Sequence, residues 1–212
     1  MNVVLKDDVL NKSEVLKEVI DVLENDGVVC LPSDNTYRLA VNGCSEDAIM
    51  YLLQAKRRVS KKPSLMFIPD ESYLNKVAKE VSEKCIKLIR HSWDKPVTIR
   101  LPLSDNYSKN VAKAITGGTG KIGVRIPTES LVKRILSSYN KPLFITSANL
   151  TGKVGSTSIA SIKKNFSRII SVLIDDGDLL RKYASTIVDF KGNDIDIVRP
   201  GAISEEELLA IF

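Results

Sequence analysis

The sequence predicts an α/β protein built on a sheet of mixed strands, and three observations carry that reading. Short apolar runs bounded by turn residues recur along the chain, segments with apolar residues at helical spacing separate several of them, and no internal repeat, low-complexity stretch or linker divides the 212 residues. One domain is the expected count, and a chain of this length buries most of its surface without disulfide or metal staples. Hydrophobic residues make up 43% and charged residues 27% of the sequence, which is the composition of an ordinary folded protein.

The elements follow in order. Residues 13–26 place Val15, Leu16, Val19, Ile20, Val22 and Leu23 at helical spacing, with Ser13 as N-cap and Gly27 as the stop. Residues 28–31 are a short apolar run ended by Pro32, which reads as a buried strand meeting a polar turn. Ser45, Glu46 and Asp47 put a cap and two acids at the start of a helix carrying Ile49, Leu52 and Leu53, which ends near Lys56. Strands are expected at 65–68, 97–101, 122–126, 143–146, 169–174, 186–190 and 195–198. Helices are expected at 72–91, 129–139, 158–165 and 204–211, and the mixed order implies some antiparallel pairs.

Composition removes several classes of function. No uninterrupted apolar run approaches the roughly 18 residues of a membrane span, and acids interrupt the N-terminus, so a cytoplasmic protein is expected. Cys30, Cys44 and Cys85 are odd in number and widely spaced, which argues against a disulfide frame or zinc ribbon and for small buried residues in a reducing compartment. The net charge of +5 favours anionic ligands without establishing nucleic-acid binding. Lys56, Arg57, Arg58, Lys61 and Lys62 form the densest cluster of cations, and they read equally as a phosphate site or as a solvated helix end.

His91 is the only histidine and has no serine or cysteine motif beside it, so it reads as structural. Residues 118–123 match the spacing G-x-G-x-x-G but precede a strand, whereas a dinucleotide fingerprint follows one; no G-x-x-x-x-G-K-[ST] is present. A bound nucleotide would need other groups for its phosphates. The basic cluster is one candidate, and Thr146, Ser147, Ala148 and Asn149 at the end of an apolar run are another, although the same residues also read as an ordinary capping turn. Arg125 lies inside the apolar run Val124-Arg125-Ile126, and a cation there calls for a carboxylate or phosphate partner. Arg199 ends the last apolar run in the same way, with a salt bridge to Asp194 or Asp196 as the alternative.

The series Pro32-Ser33-Asp34-Asn35-Thr36-Tyr37-Arg38-Leu39, Lys56-Arg57-Arg58, Lys62-Pro63, Pro96-Val97-Thr98, Val124-Arg125-Ile126-Pro127, Thr146-Ser147-Ala148-Asn149-Leu150, Ile174-Asp175-Asp176-Gly177, Ser185-Thr186-Ile187-Val188-Asp189 and Arg199-Pro200-Gly201 resembles the YrdC family of threonylcarbamoyl-adenylate synthases. Each fragment is weak alone, but their shared order covers about residues 18 to 204. The resemblance implies a single YrdC-like domain with a twisted open sheet of mixed parallel and antiparallel strands, flanking helices and a large basic cleft. It also implies an enzyme, a nucleotidyltransferase that joins L-threonine, bicarbonate and ATP into threonylcarbamoyl-AMP with release of pyrophosphate, feeding threonylcarbamoyladenosine modification of tRNA.

Residue by residue, the resemblance assigns Lys56 and Arg58 to the ATP phosphates as the catalytic cations. Lys62, Ser147, Asn149 and Arg199 go to the nucleotide, and Ser33, Asn35, Arg125 and Ser185 to threonine. Magnesium is expected on the triphosphate rather than on the protein, because no acidic cluster with ligand spacing is visible. Threonylcarbamoyl-transfer proteins, and tRNA or double-stranded RNA, are the further partners implied. Arg38 replaces the family's usual glycine, Asn35 a common threonine and Phe67 a frequent histidine, and Trp93-Asp94-Lys95-Pro96-Val97-Thr98 lacks the glycine of W-P-G-P-L-T. The alternative reading is therefore a diverged paralogue that binds nucleotide or RNA without making the adenylate.

Overall fold

A computed structural model describes residues 1–34, 36–56, 64–91, 95–149, 157–180, 184–191 and 194–211. The chain divides into two compact units, the first formed by Met1–Val59 with Glu129–Lys182 and the second by Ser60–Thr128 with Tyr183–Phe212. Each contains a mixed sheet flanked by helices, so the fold class is α/β, as expected.

In the first unit the strands are β1 (Asn2–Leu5), β2 (Val29–Ser33), β3 (Thr36–Asn42), β7 (Leu143–Ser147) and β8 (Val172–Asp175). Their order is β1-β8-β2-β3-β7, parallel between β1, β8 and β2 and antiparallel from β2 to β3 and from β3 to β7. Every residue of β2 is buried, which is why its sequence is a continuous apolar run rather than an alternating one. The helices are α1 (Lys6–Asn11), α2 (Ser13–Glu24), α3 (Glu46–Ala55), α7 (Ser130–Tyr139) and α8 (Ile159–Phe166). Leu16, Val19 and Leu23 form the buried stripe of α2, and Leu131, Val132, Ile135, Leu136 and Tyr139 that of α7, against which α2 packs. Ser45 caps α3 by accepting from the Ala48 N–H at 3.2 Å.

In the second unit β4 (Leu65–Phe67), β5 (Val97–Pro102), β6 (Lys121–Arg125), β9 (Thr186–Lys191) and β10 (Asp194–Arg199) run in the order β4-β6-β5-β9-β10. The pairs β4–β6 and β5–β9 are parallel and the other two antiparallel. Its α-helices are α4 (Leu74–Val77), α5 (Glu83–His91), α6 (Lys109–Thr116) and α9 (Glu205–Leu209), with a 3-10 turn at Glu71–Tyr73.

Three differences from the sequence reading have local causes. The expected helix over 72–91 is broken into a 3-10 turn and two helices, and Glu80 between them takes φ +58°, outside helical geometry. The strand ending in a polar turn is the first arm of a hairpin: Pro32 stays in β2 opposite Tyr37, and the polar residues beyond it begin β3. Cys30 and Cys85 are buried, whereas Cys44 is exposed in the turn after β3. Burial raises both buried thiols, Cys85 to about 12, which removes them as ready nucleophiles. Residues 118–123 do lead into β6 rather than a helix, and among the described residues no helix is long and apolar enough to cross a membrane.

Candidate functional site

In the first unit the polar residues gather at one end of the β2–β3 hairpin and of β7. Asp34 turns the hairpin with φ +51°, a left-handed conformation that an aspartate tolerates better than most residues. Ser33, only 3% exposed, donates its hydroxyl to Glu129 Oε1 at 3.1 Å, and the Asp34 N–H donates to the same oxygen at 2.8 Å. Arg38 Nη2 reaches Asp34 Oδ2 at 3.0 Å, so the cation that departs from the family pattern neutralises the carboxylate of the turn. Tyr37 is fully buried; its hydroxyl donates to the Gly177 carbonyl at 2.8 Å and accepts from the Asp176 N–H at 2.9 Å. Burial raises its pKa, so the hydroxyl stays protonated.

Lys56 caps α3 and is 6% exposed; its ammonium donates to Thr146 Oγ1 at 3.0 Å and to the Ser147 carbonyl. The Ser147 hydroxyl donates to Asn149 Oδ1, and the Ala148 N–H donates to the Tyr37 carbonyl at 2.9 Å. Lys56, 91 residues from Ser147 in sequence, therefore meets the turn that carries Ser147 and Asn149 at the end of β7. Arg38 lies directly opposite Ser147 in the β3–β7 register, so its side chain stands on the same sheet face as the Ser147 hydroxyl.

In the second unit the polar residues lie on one face of the sheet. Arg125 in β6 is opposite Phe67 of β4, and its guanidinium carbon stands 5.7 Å from the Phe67 ring centre, within cation–π range. Only 3% of Arg125 is exposed, while the alternate residues Ile122 and Val124 are buried on the other face. Thr98 donates its hydroxyl to Ser185 Oγ at 3.2 Å. Arg199, at the end of β10, donates to the Ser185 carbonyl at 2.6 Å and to its hydroxyl at 3.0 Å. The proposed nucleotide residue Arg199 and the proposed threonine residue Ser185 are thus in direct contact.

Gly201 explains the end of the Arg199-Pro200-Gly201 motif. A Cβ there would stand 2.5 Å from Ala184 O, Ser185 C and Thr186 N, so only glycine lets the chain pass against the backbone that carries Ser185.

Asn35, Arg58 and Lys62 lie outside the described residues, as do Arg57 and Lys61 of the basic cluster. His91 ends α5 with Nδ1 2.9 Å from the Lys87 carbonyl. Glu129 and Thr98 are the site residues that sequence reasoning did not assign. Thr98 stood in a recognised fragment, whereas Glu129 contacts residues 95 and 96 positions away and had no local signal. Among the described residues no group of three or more His, Cys, Asp or Glu could hold a metal ion. What the arrangement offers is fixed cations, hydroxyls and backbone groups, the equipment of anion binding and charge neutralisation.

A family model named Sua5/yciO/yrdC, described as telomere recombination, matches residues 21–201. The threonylcarbamoyl-AMP synthase of Pyrococcus abyssi is 29% identical over 85% of this chain, and the chain spans 52% of that protein. The putative threonylcarbamoyl-AMP synthase of Methanocaldococcus jannaschii is 29% identical over 98% of this chain and 97% of its own length. The crystal structure of P. abyssi Sua5 complexed with L-threonine superposes with a TM-score of 0.81 at 26% identity, covering 92% of this chain and 56% of that one.

Proposed function

The chain belongs to the Sua5/YciO/YrdC family, and from that premise we propose that it makes threonylcarbamoyl-AMP from ATP, L-threonine and bicarbonate for the threonylcarbamoyladenosine modification of tRNA. The observation that carries the reading is the Lys56 ammonium, buried against Thr146 and the Ser147 carbonyl beside Asn149. A fixed, part-desolvated cation at the carboxyl end of a strand attracts a phosphate far more strongly than a mobile surface lysine does.

The chemistry suits residues of this kind. The threonine amine forms a bond to the bicarbonate carbon as a C–O bond breaks and water leaves, giving a carbamate; a carbamate oxygen then forms a bond to the α-phosphorus of ATP while the bond to the β-phosphate oxygen breaks and pyrophosphate leaves. Such a displacement asks for positioning and charge neutralisation rather than a protein nucleophile. Lys56 and Arg58 act on the phosphates as the catalytic cations; Lys62, Ser147, Asn149 and Arg199 bind the nucleotide, and Ser33, Asn35, Arg125 and Ser185 bind threonine. Magnesium bound to the triphosphate supplies further neutralisation. A cytoplasmic location, tRNA and threonylcarbamoyl-transfer proteins complete the reading.

Arg38 favours a second reading, a paralogue that binds nucleotide or RNA without making the adenylate, because it puts a large cation opposite Ser147 where the family pattern has glycine. One assay separates the two: pyrophosphate release and product mass with ATP, bicarbonate and each amino acid in turn. The synthase gives pyrophosphate and a threonylcarbamoyl-adenylate mass with threonine. ATP binding with neither product refutes the synthase and leaves the paralogue.

A further inference from the structure

We propose that Glu129 is a positioning residue that fixes the tip of the β2–β3 hairpin for amino-acid binding, a role that rests on the reaction proposed above. A single carboxylate oxygen, Oε1, accepts from two consecutive residues, the Ser33 hydroxyl at 3.1 Å and the Asp34 N–H at 2.8 Å. Hydrogen bonds to an ionised acceptor are the stronger kind, and two on one atom define both the direction of the hydroxyl and the orientation of the peptide. That peptide needs fixing, since Asp34 holds the left-handed φ of +51° that turns the hairpin. The Asp34 carboxylate is engaged by Arg38 at 3.0 Å.

Glu129 is built for a task away from its own helix. It stands at the N-terminal boundary of α7, where an acid ordinarily reads as a cap or dipole partner, yet its side chain makes no capping bond there. Behind it, α7 is anchored by the buried Leu131, Val132 and Ile135, which gives the carboxylate a rigid base. The consequence for recognition is chemical. With its hydrogen committed to Glu129, the Ser33 hydroxyl can only accept from a ligand, so it selects an amino acid that presents a donor there.

The test compares wild type, Glu129→Ala and Glu129→Gln by steady-state kinetics and by hydrogen exchange of the Asp34 amide. Glutamine keeps an oxygen that can accept both bonds, and alanine keeps none. Expected for Glu129→Ala are a KM for threonine raised about tenfold, as the loss of a bond to a charged group gives, an unchanged KM for ATP, and faster exchange at Asp34. Glu129→Gln restores most of the threonine KM. Glu129→Met, close in length and apolar, replaces the alanine variant if that one does not fold. A wild-type enzyme that turns over threonine, with threonine KM or Asp34 exchange unmoved in Glu129→Ala, overturns the role of Glu129 alone. Absence of both turnover and calorimetric threonine binding in wild type overturns the proposed reaction and this role together.

Discussion

The two units hold their polar groups by different means, one at a turn and the other along strands. In the first, Ser33, Asp34 and Glu129, and separately Lys56, Ser147 and Asn149, are fixed by side-chain bonds that cross between hairpin, helix end and strand end. In the second, Arg125 and Thr98 sit within β6 and β5, where pairing to the neighbouring strands sets their direction before any side-chain bond is made. A turn held by individual bonds can be altered one bond at a time and rescued by a residue offering the same acceptor. A residue set by register has no such substitute, because its neighbours on the strand face the other way.

Substitutions at three positions test that contrast, from the largest effect to the smallest. Arg125→Ala is expected to lower kcat/KM for threonine by about a hundredfold or more, since a buried charge-assisted contact is worth up to about 3 kcal/mol; Arg125→Lys is expected to recover little, lacking the planar fork. Steady-state kinetics checks both, and recovery by lysine would break the contrast. Gly201→Ala forces a Cβ to within 2.5 Å of the 184–186 backbone. It should cost about 1–3 kcal/mol in urea unfolding and lower activity as well, because Ser185 is carried by that backbone. Lys56→Ala is expected to cost about tenfold in turnover, about 1.4 kcal/mol of transition-state stabilisation, and pyrophosphate release measures it. Wild-type turnover there would remove Lys56 from the phosphate site.

Much of the fold was legible because burial writes itself into spacing. The stripe of α2 and the apolar runs of β5 to β7 lie close to their expected limits, whereas β8 begins at Val172, three residues after the start of its apolar run. The hairpin was not legible, because β3 begins with polar residues and Arg38, and a strand entering a site carries the composition of a loop. Pro32 has the local signature of a terminator, yet it pairs opposite Tyr37 inside the sheet. The edge strand β1 and the helices α1 and α6 are short and half-exposed, and their patterns are correspondingly faint.

The site divides in the same manner. Arg125 announced itself because a cation in an apolar strand contradicts its surroundings, and Lys56, Ser147, Asn149 and Arg199 stood in fragments whose order is a family pattern. Glu129 carried no such contradiction: an acid at the start of a helix is what local rules expect. The sequence by itself therefore determined the α/β class, the principal strands and helices, and the residue types from which an anion site can be made. Only the tertiary structure decided that Glu129 serves the hairpin rather than its own helix, that Arg199 meets Ser185, and that Gly201 must lack a side chain. Propensity and periodicity are properties of neighbours in sequence, whereas these contacts join segments 14 to 96 residues apart or turn on a backbone approach that no spacing encodes.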